Sequence, residues 1–382
     1  MKITRIEIEN YRNIENMEFS PCDGVNIIYG DNAQGKTNLM EALWLFTGAK
    51  SFRGGSDHEL IRFDAPAARL SLQFEKDGRE QCAGISIPQK SRKEVHLNFV
   101  PLPSQSALAG EIYAVVFSPV HLSLVKDGPE VRRRFLDLAI CQLMPRYVDI
   151  LSRYNRILRQ RNALLKELRF GNISYGPQTL EVFDDALSKT AVSVIRARQR
   201  YISRLAQAAG DIYQGISREN ETMTLRYLSG IPPLEELSSQ QILSHLRQNR
   251  QADIAAAATL YGPHRDDLGI DIDHNAARSF GSQGQQRSCI LSLKLAESII
   301  IEETTGQSPI ILLDDVMSEL DRSRRDYLLN HLQGKQVFIT CCETAYFQTL
   351  EQGRCFLIGE GSIRQTFDLC RAQRDETPQD SL

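Results

Sequence analysis

The chain reads as an α/β phosphate-loop fold with an antiparallel N-terminal subdomain and an inserted α-helical arm. Three observations predict it. Gly30-Asp31-Asn32-Ala33-Gln34-Gly35-Lys36-Thr37 fits G-x-x-x-x-G-K-[ST], between an apolar β-branched run from Val25 to Tyr29 and a helical pattern from Asn38 to Phe46. Pro309 to Asp315 is a second apolar run, and it ends in two carboxylates, Asp314 and Asp315. Between these two runs, after Gly128-Pro129, the pattern changes to long arginine-rich helices.

The bulk properties set the frame. A chain of 382 residues is long enough for two domains or for one domain with a large insertion. The 42% hydrophobic fraction supplies a core, and a formal charge of −3 means that any nucleic-acid surface must be local. The eight cysteines form no C-x-x-C pair, so neither a metal site nor a disulfide framework is indicated. No apolar run approaches the ~18 residues of a membrane span, and a reducing, cytoplasmic setting is expected.

In chain order, Ile3 to Ile8 alternates apolar and polar, Met17-Glu18-Phe19 suggests a partner strand, and Val25 to Tyr29 leads into the phosphate loop. The helix after the loop closes at Thr47-Gly48. From Arg69 to Phe99 short alternating runs predict an antiparallel sheet with a turn at Lys76-Asp77-Gly78, and Tyr113 to Phe117 predicts a buried strand. Val131 to Arg169 keeps apolar residues three or four apart, with a break expected at Pro145. A second long helix is expected from Thr179 to Ile216, with Gly171 to Pro177 as the reversal, which makes an antiparallel arm. Thr222 to Leu228 reads as a strand and Leu234 to Gln248 as a helix. Leu268 to Ile272 and Ala276 to Phe280 read as paired strands, after which an apolar helix runs through Ile290 to Ile300. Val337 to Thr340 and Cys355 to Ile358 are further strands. The expected division is a discontinuous head of 1–118 and 260–370, an arm of 119–259 and a flexible tail of 371–382.

The residue types explain the chemistry. Glycines let backbone N–H groups close around phosphate oxygens, Lys36 reaches the outer phosphates, and Thr37 offers its hydroxyl to Mg²⁺. Gly30 to Thr37, with Asn38 behind them, therefore form the ATP-binding segment. Asp314 and Asp315 fall at the carboxyl end of a parallel strand, where the first acid completes the metal shell and the second orients or deprotonates water. Lys36 and Asp315 are the expected catalytic residues, and Thr37 and Asp314 the metal ligands. Ser282-Gln283-Gly284-Gln285 opens an apolar helix, so Ser282 caps it and presents a positive dipole end to an anion.

Ser282 to Gln285 resembles the S-G-G-Q signature of ABC-type ATPases and stands just upstream of the double-acid strand, as in that family. The resemblance implies that this segment meets the γ-phosphate held by the phosphate loop of a second copy, in an ATP-dependent homodimer. Ser318-Glu319-Leu320-Asp321 resembles the D-loop, with Ser318 and Asp321 as its polar residues. Three departures stand beside these likenesses. Asp315 replaces the usual glutamate, which implies slow turnover. Cys341-Cys342 stands where a switch histidine is expected, and Phe117-Ser118-Pro119 lacks a Q-loop glutamine.

Asn10-Tyr11-Arg12-Asn13, GDNAQGKTN, Ser51-Phe52-Arg53, Arg132-Arg133-Arg134-Phe135-Leu136-Asp137, Tyr261 to Asp267, SQGQQR and LLDDVMSELD together resemble the bacterial RecF recombination mediators, over residues 1 to about 360. That resemblance implies an ABC-type head and a protein that binds gapped duplex and single-stranded DNA. It also implies work with RecR and RecO to load RecA, a weak DNA-stimulated ATPase used as a switch, and roles in replication-fork maintenance and SOS induction. The arm arginines suit phosphate contact, with Arg132, Arg133, Arg153, Arg156, Arg196 and Arg200 as candidates, although solubility alone also explains such charge. Tyr147, Tyr154 and Tyr201 have a spacing that favours packing over base stacking. Two other classes compete, a transporter nucleotide-binding subunit and a short structural SMC-like ATPase. The missing histidine and glutamine and the long insertion oppose the first, and helices spanning only ~60 Å oppose the second.

Overall fold

The computed structural model describes residues 1–171, 176–233, 236–342 and 352–369. Contacts divide the chain into two compact units, one of Met1–Leu122 with the described residues from Ile290 onward, the other of Ser123–Cys289. The tail expected at 371–382 and the middle of the expected arm reversal lie outside the described residues.

The first unit opens with β1 (Lys2–Tyr11), β2 (Ile14–Phe19), β3 (Val25–Tyr29) and α1 (Lys36–Leu45). It continues with β4 (Ala67–Lys76), β5 (Arg79–Pro88), β6 (Glu94–Leu97), β7 (Val100–Leu102) and β8 (Ala114–Phe117). Ile3, Ile6 and Ile8 of β1 are all buried, although Ile3 and Ile6 differ by three. A register shift between Ile3 and Arg5 reconciles this, because one extra residue restores the alternation. The antiparallel sheet runs β2-β1-β4-β5-β6-β7. Its β4–β5 turn is Asp77-Gly78, with φ of 53° and 68°, the left-handed pair whose twist suits a two-residue hairpin.

The second unit comprises α2 (Ser123–Lys126), α3 (Pro129–Leu143), α4 (Arg146–Arg169), α5 (Gly176–Ser217), β9 (Met223–Leu228), α6 (Ser239–Gln248) and α7 (Arg250–Ala256). β10 (Asp267–Ile272), β11 (Asn275–Ala276), α8 (Ala277–Phe280) and the start of α9 (Gln283–Thr305) complete it. Pro145 separates α3 from α4, as its missing N–H requires. α4 and α5 pack through Leu164, Leu165 and Leu180. Fully buried Arg161 of α4 donates to Asp184 (2.8 Å), Asp253 (2.7 Å) and the Thr259 hydroxyl (2.8 Å). Tyr147, Tyr154 and Tyr201 are core residues.

Three sequence expectations change in this unit. The helix expected from Leu234, a residue outside the described ones, starts as α6 only at Ser239, capped by Ser238. Ala276 to Phe280 is not a strand: after the tight turn at Asp273 and His274, with φ of 47° and 67°, only Asn275 and Ala276 pair with β10, and the chain then coils into α8. The return to the head expected at 260 comes later. β10 pairs along its length with β9, from Asp267↔Leu228 to Ile272↔Met223, which holds these residues to the helical unit.

The turn before β10 is the clasp of this unit. Asp266, buried, accepts from Arg198 (2.8 Å), the Tyr227 hydroxyl and the Gly230 N–H (2.8 Å). Asp267 accepts a fork from Arg132 at 2.6 and 2.8 Å. His264 Nε2 lies 2.9 Å from the Thr259 carbonyl and must donate to it, so Nδ1 accepts from the Tyr154 hydroxyl at 2.7 Å. Burial pushes the His264 imidazole down to about 4.

The chain re-enters the first unit along α9 and adds β12 (Ile310–Asp314), α10 (Arg322–His331), β13 (Val337–Cys341), β14 (Gly353–Gly359) and β15 (Ser362–Leu369). The second sheet runs β15-β14-β3-β13-β12-β8, parallel except for β15. Its registers pair Asp314 with Thr340 and Thr340 with Ile28, so the carboxyl ends of β12, β13 and β3 lie level.

Two outcomes test this packing. Arg161→Met should destabilise the helical unit by about 3–5 kcal/mol, because it strands the buried Asp253 carboxylate and leaves Asp184 with Arg250 alone, and hydrogen exchange of the α5 amides reads the loss. A histidine held neutral contributes stability that is present above the ordinary range near 6.5 and lost as pH falls toward the folded value of about 4. Acidifying from pH 7 to pH 5 should therefore cost the unit about 2 kcal/mol through His264. The gap in urea midpoint between wild type and His264→Gln should narrow over that interval. A gap independent of pH would contradict the neutral imidazole.

Candidate functional site

β3 delivers the chain to Gly30 at the carboxyl edge of the parallel sheet. Gly30 has φ 144°, and a Cβ there would stand 2.3 Å from the Ile358 carbonyl oxygen on β14, so no side chain fits. Gly35, at φ 108°, starts α1 and would meet Asn13 Oδ1 at 3.0 Å. The loop is braced from both flanks. Asn13 Nδ2 donates to the Ala33 carbonyl (2.9 Å), Asn38 Nδ2 donates to Asn13 Oδ1 (2.7 Å), and Arg53 Nη1 donates to Asn38 Oδ1 (2.7 Å). On the other side Gln34 accepts from the Glu360 N–H through its side chain (2.5 Å) and from the Gly361 N–H through its carbonyl (3.1 Å). Lys36 is buried, and its Nζ donates to the Gly30 and Asp31 carbonyls at 2.5 and 2.7 Å.

The acids stand beside this loop. Thr37 Oγ1 donates to Asp314 Oδ1 at 2.9 Å, and Thr340 Oγ1 donates to the same oxygen at 3.0 Å. Thr340 Oγ1 in turn accepts from the Asp315 N–H at 2.9 Å. Burial pushes the Asp314 carboxyl above its ordinary range, against the hydrogen bonds from the two threonines. Asp315 is exposed at φ 53°, a left-handed conformation that aspartate enters more readily than most side chains. Ser318 Oγ donates to the Asp315 carbonyl at 3.0 Å. Asp321 caps α10 by accepting from the Arg324 N–H at 2.9 Å.

A hydroxyl and a carboxylate are hard oxygen donors suited to Mg²⁺. Among the described residues no group of three or more His, Cys, Asp or Glu could hold a metal. The donor set therefore suits an ion that keeps phosphate and water oxygens rather than one caged by protein. The glycine loop, the buried lysine and the Thr37–Asp314 pair together fit a magnesium-bound nucleoside triphosphate.

Behind the loop lies a network that the sequence pattern does not announce. Glu41 of α1 is fully buried and accepts from the Tyr11 hydroxyl (2.9 Å), from Arg12 Nε and Nη2 (3.0 Å each) and from the Ser51 hydroxyl. Burial alone would raise the Glu41 carboxyl, but these hydrogen bonds hold it below the ordinary range. The two strings around Tyr11-Arg12 and Ser51 are thereby tied to the helix that begins with Lys36. A lone glutamate within the apolar pattern of α1 was the available signal. Asn13 stood in the string Asn10-Tyr11-Arg12-Asn13, and Thr340 carried no signal.

In the second unit, Ser282 and Gln285 form a reciprocal cap on α9. Gln285 N–H donates to Ser282 Oγ (3.2 Å), and Ser282 N–H donates to Gln285 Oε1 (2.7 Å). Gln285 Nε2 also donates to Glu221 (2.7 Å), while Ser282 and Gln283 are exposed and Gly284 is half-buried.

The six arm arginines divide. Arg132 is buried in its fork with Asp267 and has no charge to offer a phosphate, which corrects its place among the DNA candidates. Arg133 is half-buried and donates to the Asp266 carbonyl (2.6 Å), and exposed Arg196 donates to the Leu237 carbonyl (3.0 Å). Arg153, Arg156 and Arg200 are exposed, with no carboxylate partner among the described residues.

No helix among the described residues is long and apolar enough to cross a membrane. The family model for the RecF/RecN/SMC N terminal domain matches residues 2–356. The DNA replication and repair protein RecF of Heliobacterium modesticaldum is 41% identical over 358 residues, 93% of this chain and 96% of that one. RecF of Clostridium perfringens is 36% identical over 368 residues, 95% of this chain and all of that one. A solved structure of the recombination mediator protein RecF-ATP superposes with a TM-score of 0.87 at 34% identity, covering 97% of this chain and 98% of that chain. An Smc head bound to the C-terminal winged-helix domain of ScpA shares the fold at a TM-score of 0.55 and 13% identity. The chain therefore belongs to the RecF family of DNA replication and repair proteins, built on an ABC-type ATPase head.

Proposed function

We propose that this protein is an ATP-gated DNA-binding protein of recombinational gap repair. In this reading ATP closes two copies into a clamp, and slow hydrolysis releases it. The observation that carries the reading is the Thr37–Asp314 contact of 2.9 Å beneath a glycine-braced phosphate loop. The RecF-ATP and RecF-ATPrS relatives, at 34% identity, support the same ligand here.

Each residue has a role. The loop from Gly30 to Gly35 wraps the phosphates, and Lys36, held over the loop by the Gly30 and Asp31 carbonyls, neutralises the outer ones. Thr37 and Asp314 would hold Mg²⁺, which supplies positive charge to the outer phosphate oxygens when bound. Asp315 takes the proton of the attacking water. Its side chain is one methylene shorter than a glutamate, so it holds that water less closely and turnover is slow. Ser282 to Gln285 of a second copy complete the site: the cap leaves Ser282 and Gln283 exposed at the positive end of α9.

DNA lies along Arg153, Arg156 and Arg200, whose charges no carboxylate within the described chain consumes. They neutralise phosphates and read no bases, so the protein recognises gapped duplex and single-stranded DNA by structure rather than by sequence. RecR and RecO are the partners that the family implies, and RecA loading is the outcome they share.

Three measurements test the reading. ATP hydrolysis should rise with gapped DNA above the level with blunt duplex, and equal rates on all DNA forms would remove the junction role. In sedimentation, Lys36→Ala should abolish the ATP-induced dimer. Ser282→Arg should abolish it too while leaving ATP binding to the monomer intact, and loss of monomer binding would argue against a composite site. Charge reversal at Arg153 and Arg156 should weaken DNA binding and lower the slope of log K against log salt by about 1 for each phosphate no longer neutralised.

A further inference from the structure

The seat of the Lys36 ammonium has a third member. β13 lies between β3 and β12 in parallel register, so the residue after Cys341 emerges at the carboxyl edge between the phosphate loop and the two acids. That residue is Cys342, which is exposed. Its Sγ lies 3.5 Å from Lys36 Nζ, and its S–H donates to Asn32 Oδ1 at 2.9 Å. An ammonium has three N–H donors, and the Gly30 carbonyl, the Asp31 carbonyl and this sulfur are three acceptors. The two carbonyls belong to the loop and travel with it. The sulfur belongs to the sheet.

We propose that Cys342 is a positioning residue for nucleotide binding, which anchors Lys36 and Asn32 of the phosphate loop to the end of β13. The proposal rests on the ATP-site reading above. A thiol suits this place because it accepts from the ammonium and donates to the carboxamide at once. It bridges residue 32, early in the loop, and residue 36, at the start of α1, so it spans the segment that must wrap the phosphates. Without it the loop keeps its glycine geometry but loses its side-chain tie to β13. The bound arrangement must then be ordered at the expense of affinity.

The test measures magnesium-ATP affinity of the full-length chain by calorimetry. Cys342→Ala should weaken binding about 2- to 10-fold, the range of one ordinary hydrogen bond. Cys342→Ser keeps one acceptor and one donor at the same place and should recover most of that loss. Cys342→Ala with wild-type affinity, or Cys342→Ser as weak as Cys342→Ala, overturns the proposal. Lys36→Met separates the two levels. If it binds ATP as wild type does, the nucleotide site itself is misassigned. If it loses ATP while Cys342→Ala does not, only the role of Cys342 fails. An independent arm needs no variant: saturating ATP should slow alkylation of Cys342 by iodoacetamide, read by peptide mass spectrometry. The half-buried Cys82 on β5 serves as the internal standard. Equal slowing at both cysteines, or at neither, overturns the proposal.

Discussion

A buried carboxylate must be surrounded by donors, and around Asp314 that requirement organises the first unit. Asp314 sits at the end of an apolar strand, where an unpartnered charge would cost several kcal/mol. Its donors come from two other places in the chain, Thr37 of the phosphate-loop helix and Thr340 of β13. Both reach it only because β12, β13 and β3 run parallel with their carboxyl ends level. The same hydroxyl of Thr340 holds the Asp315 backbone in its left-handed turn. Sheet register, metal-site donors and the orientation of the second acid are therefore one constraint, and a slip of one residue would break all three.

The helical unit solves a similar problem with larger charges. Arg161 and Arg198 are buried, and each is neutralised by two aspartates from distant positions: Asp184 and Asp253 for Arg161, Asp137 and Asp266 for Arg198. Such pairs contribute little net stability over a hydrophobic replacement, but breaking one leaves a stranded charge. They also separate the arm's arginines into two populations. Those facing inward fix how the helices and the Asp266-Asp267 turn pack, and those facing outward keep their charge exposed to solvent. The Tyr154–His264 pair belongs with this inward set, so His264, Asp266 and Asp267 of the Gly-Pro-His-Arg-Asp-Asp string have packing partners, while Arg265 is exposed.

Short-range pattern carried a long way in this protein. The phosphate loop, the double acid, the break at Pro145 and the Ser282 cap were all readable, because each is set within a few residues by backbone geometry or periodicity. Strand ends were readable where a turn residue marks them, as at Asp77-Gly78. Local pattern failed at Ala276 to Phe280, where the strand paired only through Ala276 and the chain coiled at once into α8. It also failed at the domain return, because the β9–β10 pairing joins segments some 40 residues apart along the chain, and no neighbouring residues record it.

The sequence by itself determined that a phosphate-binding glycine loop leads into a helix, that two acids end a buried strand, and that a basic helical insertion interrupts the head. Those features are local, and their residue types follow from steric and periodic rules. Only the tertiary structure decided which polar groups meet. It gave Glu41 its four hydrogen bonds, set Thr340 between the acids, turned Arg132 inward and left Arg153 outward, and brought Cys342 to Lys36. A charge count along a helix cannot distinguish a neutralised arginine from an available one. Its partner is chosen by packing between segments far apart in the chain.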